Sequence, residues 1–207
     1  MAYGSNAAWG LKPIRYLAGR PYTGAVNEYP IASAYATNIF TGDPVISLND
    51  GTIGIGVAGS NARGVFMGVK YRKTDGLWYH EKYWPASQVT LGSQVALALI
   101  ADEPDLVFDV QETNGSGAAG TALNLADVNL NANFYVGAGS TATGLSGTTV
   151  NNASELTTST LNLKILRLSQ NPTNLALGVT ASAGVSFANW EVCWNTHELK
   201  SVGTAGV

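Results

Sequence analysis

VALALIADEPDLVFDVQE, residues 95–112, carries two apolar runs on either side of a polar break. Successive side chains of a strand point to opposite faces. Val95, Leu97 and Leu99 therefore share one face of a strand, and Leu106, Phe108 and Val110 one face of another. Ala96, Ala98, Ile100 and Val107 make the second face fairly apolar as well. Between the runs lies Ala101-Asp-Glu-Pro-Asp105. Pro104 has no N–H to give to a sheet ladder and pushes Glu103 out of the helical region. The aspartates favour turns because their carboxylates bond nearby backbone. The pattern predicts a β-hairpin with a loop of roughly three to five residues. Its two-sided apolar character places it deep inside a sandwich or barrel.

Outward from this stretch, the same grammar repeats. Asn49-Asp50-Gly51 and Asp75-Gly76 are turn signals. They bracket strands expected over Thr52–Ala58, Gly64–Tyr71 and Leu77–Trp84, with Pro85 as a stop. Ile39-Phe40 and Pro44–Leu48, about the turn Thr41-Gly-Asp43, read as a short hairpin or a strand entry. Further strands are expected at Phe134–Val136, Leu161–Leu168 and Trp190–Trp194. Asn124–Leu130 is open between a strand and a helical turn, and Ala153–Thr158 has room for one short helical turn. Strands spaced by about 8–12 residues suit a sandwich or barrel. Glycine is 24 of 207 residues, with Thr, Val, Asn and Tyr abundant, which opposes helices. The expected fold is all-β, a single β-sandwich or β-barrel-like body with an extended, irregular N-terminal arm. Residues 1–38 form that arm, 39–200 the body and 201–207 a flexible tail. The arm spaces Tyr3, Trp9, Tyr16, Tyr22, Tyr29 and Tyr35 among glycines and prolines, including Pro13. Rings at that density are buried against something, either the chain's own body or a neighbouring subunit.

Charged residues are only 12% of the chain, about half the usual roughly 25%. An assembly component can dispense with surface charge, and so can a Gly/Ser/Thr/Asn-rich secreted β protein. A net charge of −3 opposes nucleic-acid binding. No secretory leader is visible at the N-terminus and no apolar run is long enough to span a membrane as a helix, so synthesis in the cytoplasm is expected. The single cysteine, Cys193, reads as a buried inert thiol within a strand.

Four constellations have chemical readings. Gly54-Ile-Gly56-Val-Ala-Gly59 has the G-x-G-x-x-G spacing of a dinucleotide loop, but Gly64, Val65, Gly68 and Val69 oppose the helix that must follow, so a glycine-rich strand and turn is expected and no cofactor. Asp102, Glu103, Asp105 and Asp109 are carboxylates that turn geometry explains better than metal binding or acid–base work. His80 and His197 lack the spacing of a zinc site, and no G-x-S-x-G elbow accompanies them. No catalytic, cofactor or metal residue is expected. Trp78, Tyr79, Tyr83 and Trp84 are the densest aromatic patch. Buried, they are core; exposed, they are an interface hot spot or a sugar-stacking platform.

Across the opening residues 5–45, Trp9-Gly10, Pro13, Tyr16, Tyr29, Tyr35 and Gly42-Asp43-Pro44-Val45 follow an order that resembles the N-terminal signature of tailed-phage head decoration (cement) proteins. So do Asp102-Glu103-Pro104 before Val107-Phe108, Gly139-Ser140 with Thr143-Gly-Leu-Ser146, Leu163–Leu168 and Trp190-Glu-Val192. Each motif is weak alone; their order over most of the chain carries the resemblance. It implies a non-enzymatic virion protein on the outer capsid surface, made in the host bacterial cytoplasm. Its partners would be the major capsid protein and further copies of itself as a trimer or dimer, with no nucleic acid and no membrane. The candidate interface residues are Tyr3, Trp9, Pro13, Tyr16, Tyr22, Tyr29, Trp78, Tyr79 and Trp84. Two other classes remain open: a carbohydrate-binding or tail-associated module using coplanar Trp78, Tyr79 and Trp84, and a β-sandwich hydrolase built on His80 or His197.

Overall fold

A computed structural model describes residues 5–172, 174, 185–200, 203 and 206. In chain order the strands are β1 (Lys12–Tyr16), β2 (Asn27–Ile31), β3 (Ile39–Phe40), β4 (Pro44–Ser47), β5 (Ile53–Ile55), β6 (Gly64–Arg72), β7 (Trp78–Glu81), β8 (Tyr83–Trp84), β9 (Ala96–Ala101), β10 (Leu106–Thr113), β11 (Asn131–Ala132), β12 (Phe134–Tyr135), β13 (Thr149–Asn151), β14 (Leu163–Leu168) and β15 (Asn189–Trp194). The fold is all-β, and its sheets form a nearly closed, barrel-like body. Among the described residues the only helical pieces are two 3-10 turns, Leu91–Ser93 and Leu125–Asp127. The second resolves the ambiguity over 124–130: Asn124 caps it, accepting from Ala126 N at 2.8 Å. Residues 153–158 hold turns and a single bridge rather than a helical turn.

One sheet runs β2-β9-β6-β4-β5, with β7 also on β6. The other runs β11-β14-β15-β10-β13-β12, with β1 also on β10. Strands β3 and β8 form a separate ribbon, so of the two readings for 39–48 the hairpin is excluded: β3 and β4 do not pair. Both sheets are built alike around one long strand. Strand β6 has β9 along one edge, while β4 and then β7 share the other. Strand β10 has β15 along one edge, while β1 and then the parallel β13 share the other.

The expected hairpin over 95–112 is absent. Strands β9 and β10 do not pair; each is interior to a different sheet, and residues 102–105 arch between the sheets. Local sequence reads the same in both cases, two strands and a turn. The two-sided apolar pattern reflects strands covered on both faces, fully in β10 and partly in β9. The inward face of β9 is also the opposite of the one its larger side chains suggest. Ala96, Ala98 and Ile100 are buried, Leu97 and Leu99 are half-buried and Val95 is exposed. The alanines lie in one core cluster with Phe66, Tyr71 and Trp84, whose bulk leaves room for a methyl and little more. In β10 the inward residues are the expected Leu106, Phe108 and Val110. They join Ile165, Trp190, Val192 and Trp194, and also Leu11, Val65 and Ala101, in the core that binds the two sheets together.

Residues 1–38 contain two regular strands. Strand β1 pairs with β10, setting Pro13 opposite Phe108, and β2 pairs with β9 along its length. Leu11 is fully buried. No period was visible because each strand is five residues long and carries a proline. Proline is tolerated where a strand has an unpaired side, and β2 is the outermost strand of its sheet. Structurally, then, 38/39 is not a boundary. Of the expected tail, only Gly203 and Gly206 lie within the described residues.

Candidate interaction surfaces

The sharpest surface feature is the hairpin of β6 and β7. Its turn is set by Gly76, whose φ of 86° suits glycine, and by Asp75, which accepts from Leu77 N and from the Tyr79 hydroxyl, both at 2.8 Å. Register places Trp78 opposite Arg72 and His80 opposite Lys70 on the outer face. Tyr79 and Glu81 therefore face the other way. Tyr79 stacks on buried Tyr71 at 6.1 Å between centroids, and the Lys73 ammonium lies 3.9 Å from its ring centre. The Tyr71 hydroxyl donates to Glu81 at 2.8 Å. These contacts fix the hairpin from beneath and leave Leu77 and Trp78 projecting, 62% and 61% exposed. The outer face continues through half-buried Leu97 and Leu99 of β9 and Pro30 of β2. Lys70 on that face is ion-paired with Glu28. Two further exposed apolar side chains, Val89 and Val95, flank the segment whose Thr90 bridges to Lys73 at the turn.

A second surface lies where the N-terminal segment crosses β3 and β4. Gly10 and Gly42 meet there so closely that a Cβ on Gly42 would sit 2.6 Å from the Trp9 carbonyl oxygen. Beside the crossing is a pocket of about 450 Å³ lined by Trp9, Leu11, Pro13, Met67 and Leu145, with Lys12 and Asn171 at its polar side. Trp9 is held by its indole N–H, which donates to the Asp109 carbonyl at 3.4 Å.

The nine candidate interface residues separate accordingly. Tyr3 lies outside the described residues. Trp9 and Pro13 line the pocket, although Pro13 itself is buried. Tyr16 and Tyr22 form a half-buried tilted pair at 6.4 Å, with Arg20 over the Tyr16 ring. Tyr29 is committed internally, as described below. Trp78 projects, but Tyr79 turns inward, and Trp84 is 0% exposed and packs edge-on against Tyr71. Trp84 is thus a core residue, not an interface one: β8 lies against β3 as a ribbon over the six-stranded sheet, which closes over the indole. The three rings do not form a coplanar platform.

The acidic cluster disperses for the same geometric reason that the hairpin became an arch. Asp102 is buried at the end of β9; Glu103 and Asp105 are exposed; Asp109 is buried on β10. No metal-competent group of three acidic, histidine or cysteine side chains occurs among the described residues. What does form is a polar clasp that local sequence did not reveal. Asp102 accepts from the Tyr29 hydroxyl at 2.5 Å and from Asn27 Nδ2 at 2.9 Å. The Tyr29 hydroxyl in turn accepts from Arg63 Nη2 at 2.6 Å, with the guanidinium over its ring at 4.6 Å. Arg63 reaches Glu198 at 3.7 Å, and Glu198 accepts from Ser47 N and its hydroxyl at 2.7 and 2.5 Å. Five stretches distant in sequence meet here, so no spacing rule could find it.

His80 is exposed on β7 and His197 is buried. The His197 Nδ1 accepts from Leu199 N at 3.1 Å, and burial, aided by nearby Arg63, lowers its pKa to about 4. Ser47 gives its hydroxyl to Glu198, not to a histidine. Gly54 and Gly56 lie on and after strand β5, where a Cβ would strike the Tyr35 hydroxyl at 2.7 Å or the Pro44 carbonyl oxygen at 2.9 Å. Close packing accounts for these glycines without a phosphate. Cys193 is buried and its thiol pKa is raised by burial.

Comparison with family models, with curated proteins and with solved structures finds no match.

Proposed function

We propose that this chain is a structural, non-enzymatic virion protein that decorates the outer surface of a tailed-phage capsid and cements neighbouring capsomers against internal DNA pressure. The class comes from the ordered resemblance of the sequence. The observation that carries the docking part is the Leu77–Trp78 tip, two adjacent large apolar side chains held out on a braced hairpin. Exposed tryptophan with apolar and arginine neighbours has the composition of an interface hot spot. Individually weak contacts suffice when a small ring of copies engages several capsomers at once.

The test is co-sedimentation with undecorated capsids, preceded by light scattering of the free protein. A dimer or trimer that pellets with capsids supports the reading. A Leu77→Ser/Trp78→Ser variant should lose at least tenfold in occupancy with its melting temperature unchanged. A wild-type protein that ignores capsids refutes it. The carbohydrate-binding reading keeps one favourable observation, the exposed Trp78 indole, and retention of the protein on a polysaccharide column would favour it.

A further inference from the structure

Asn114-Gly115 is the chain's one Asn-Gly dipeptide. It opens the turn that follows β10, and Asn114 is the hub of that turn. Its backbone N–H donates to the Ala118 carbonyl at 2.7 Å, and its carbonyl accepts from Gly117 N at 3.0 Å. Its side-chain Oδ1 accepts three bonds, from Ser116 N at 2.9 Å, from the Ser116 hydroxyl at 2.8 Å and from Ala118 N at 2.9 Å. The bond from Ser116 N closes an Asx turn, a ring that contains both Asn114 Cγ and the Gly115 nitrogen. Three donors around one oxygen suit a carboxylate better than a neutral amide, because hydrogen bonds to an ionised acceptor are about twice as strong. Two neighbouring nitrogens, Asn114 Nδ2 and Gly115 N, have no acceptor among the described residues, and Gly115 is exposed.

We propose that Asn114 deamidates spontaneously in the folded chain, with the three donors of the turn promoting the step and retaining the aspartate that results. The Gly115 nitrogen, its proton taken by hydroxide, attacks Cγ of Asn114. The N–Cγ bond forms and the carbonyl electron pair moves onto Oδ1. When that pair falls back, the Cγ–Nδ2 bond breaks and ammonia departs with a proton from water, leaving a five-membered succinimide. Water then adds to either ring carbonyl. Cleavage of the N–Cγ bond gives aspartate; cleavage between Gly115 N and the Asn114 backbone carbonyl carbon gives isoaspartate. Glycine at 115 puts no side chain in the way of the attack. Negative charge develops on Oδ1, where three donors already point, so they hold the intermediate more strongly than the amide. The two products differ in fate. Aspartate keeps the backbone path and all three bonds. Isoaspartate lengthens the backbone by a methylene, which pulls apart the closures at Ala118 and Gly117. Gly117 is also where the N-terminal segment is tied, because Asn6 Nδ2 donates to its carbonyl at 2.9 Å. Isoaspartate therefore loosens that segment along with the turn.

The test is peptide mapping by mass spectrometry, with a separation that distinguishes aspartate from isoaspartate. The full chain is incubated native, and in parallel unfolded in guanidinium, at the same mildly alkaline pH. Conversion confined to the unfolded chain would be slowed in the native protein by the folded-to-unfolded ratio, about a thousandfold or more. The native rate is expected within about tenfold of the unfolded one, since the donors offset the restricted motion of the turn. A larger lag overturns the proposal. Ser116→Ala removes the hydroxyl donor and keeps the backbone one. It should slow native conversion about threefold or more, less than the roughly hundredfold that such a donor supplies in a water-excluded site. A smaller change, or an equal slowing in guanidinium, overturns the role given to the turn. Asn114→Asp should melt no lower than the wild type, and a lower melting temperature would overturn retention of the aspartate.

Discussion

Replacing Phe108 with alanine tests the joint between the sheets. Phe108 is fully buried on β10, edge-on to Trp194 of β15 at 5.2 Å and 69°, with Val192 and Pro13 as its cross-strand neighbours. Truncating a buried phenylalanine costs about 3–5 kcal/mol, and the edge-on ring pair contributes about 0.5–1.5 kcal/mol of its own. The upper half of that range is expected here, because strands on both edges of β10 prevent the site from collapsing. The assay is urea unfolding, followed by tryptophan fluorescence and far-UV circular dichroism so that a two-state transition is verified. A Phe108→Ala/Trp194→Leu cycle isolates the ring term, expected at about 1 kcal/mol. A loss below about 1 kcal/mol for Phe108→Ala would remove this residue from the core and with it the account of how the sheets are joined.

Three further outcomes are expected. The Glu191 carboxylate is held by Arg15 at 2.7 Å and Arg167 at 2.8 Å; burial alone would raise its pKa, but the two guanidiniums lower it. Removing either arginine should cost about 1 kcal/mol and removing both about 3–5 kcal/mol, a non-additivity read from a double-mutant cycle. Because His197 titrates near 4 folded but near 6.5 unfolded, the unfolded chain binds the extra proton, so stability should fall as pH drops below 6.5. The loss between pH 7 and 5 should be about 2 kcal/mol by urea titration, and a His197→Asn variant should lack that increment. Gly42→Ala should destabilise by about 1–3 kcal/mol from the backbone alone at φ 98°, with the contact at Trp9 adding to it, measured as a lowered urea midpoint.

The sequence made the β class plain because its turn chemistry is explicit. Asp75-Gly76 and Asn49-Asp-Gly51 turn where expected, and β6, β10, β14 and β15 lie within or close to their expected ranges. Pairing was not legible. A turn that closes a hairpin and one that arches between sheets use the same Asp and Pro residues; the difference lies in partners such as Pro13 and Val192, far away in sequence. The alanine-lined face of β9 was unreadable for a related reason. Small residues mark a core face only once the bulky residues opposite are known, here Phe66, Tyr71 and Trp84. Of the aromatic patch, alternation alone separates outward Trp78 from inward Tyr79, but the burial of Trp84 depends on the β3 ribbon. The clasp of Tyr29, Arg63, Asp102 and Glu198 depends on tertiary closure entirely.

The arch at 102–105 has a consequence for how the chain is made. Everything in the six-stranded sheet comes from residues 27–101, an unbroken run that carries its own core cluster. Strand β1 is synthesised before that sheet, yet its partner β10 appears only after the sheet is complete: Lys12 waits for Asp109. At about 5–20 residues per second, that wait is roughly 5–20 s. During it, one half of the body is expected to consolidate while β1, with Leu11 beside it, still has no sheet to join. A strand made before any of the six-stranded sheet is thus seated after all of it, and the arch is the point at which the growing chain passes from a half that can close on itself to one that must reach back for β1.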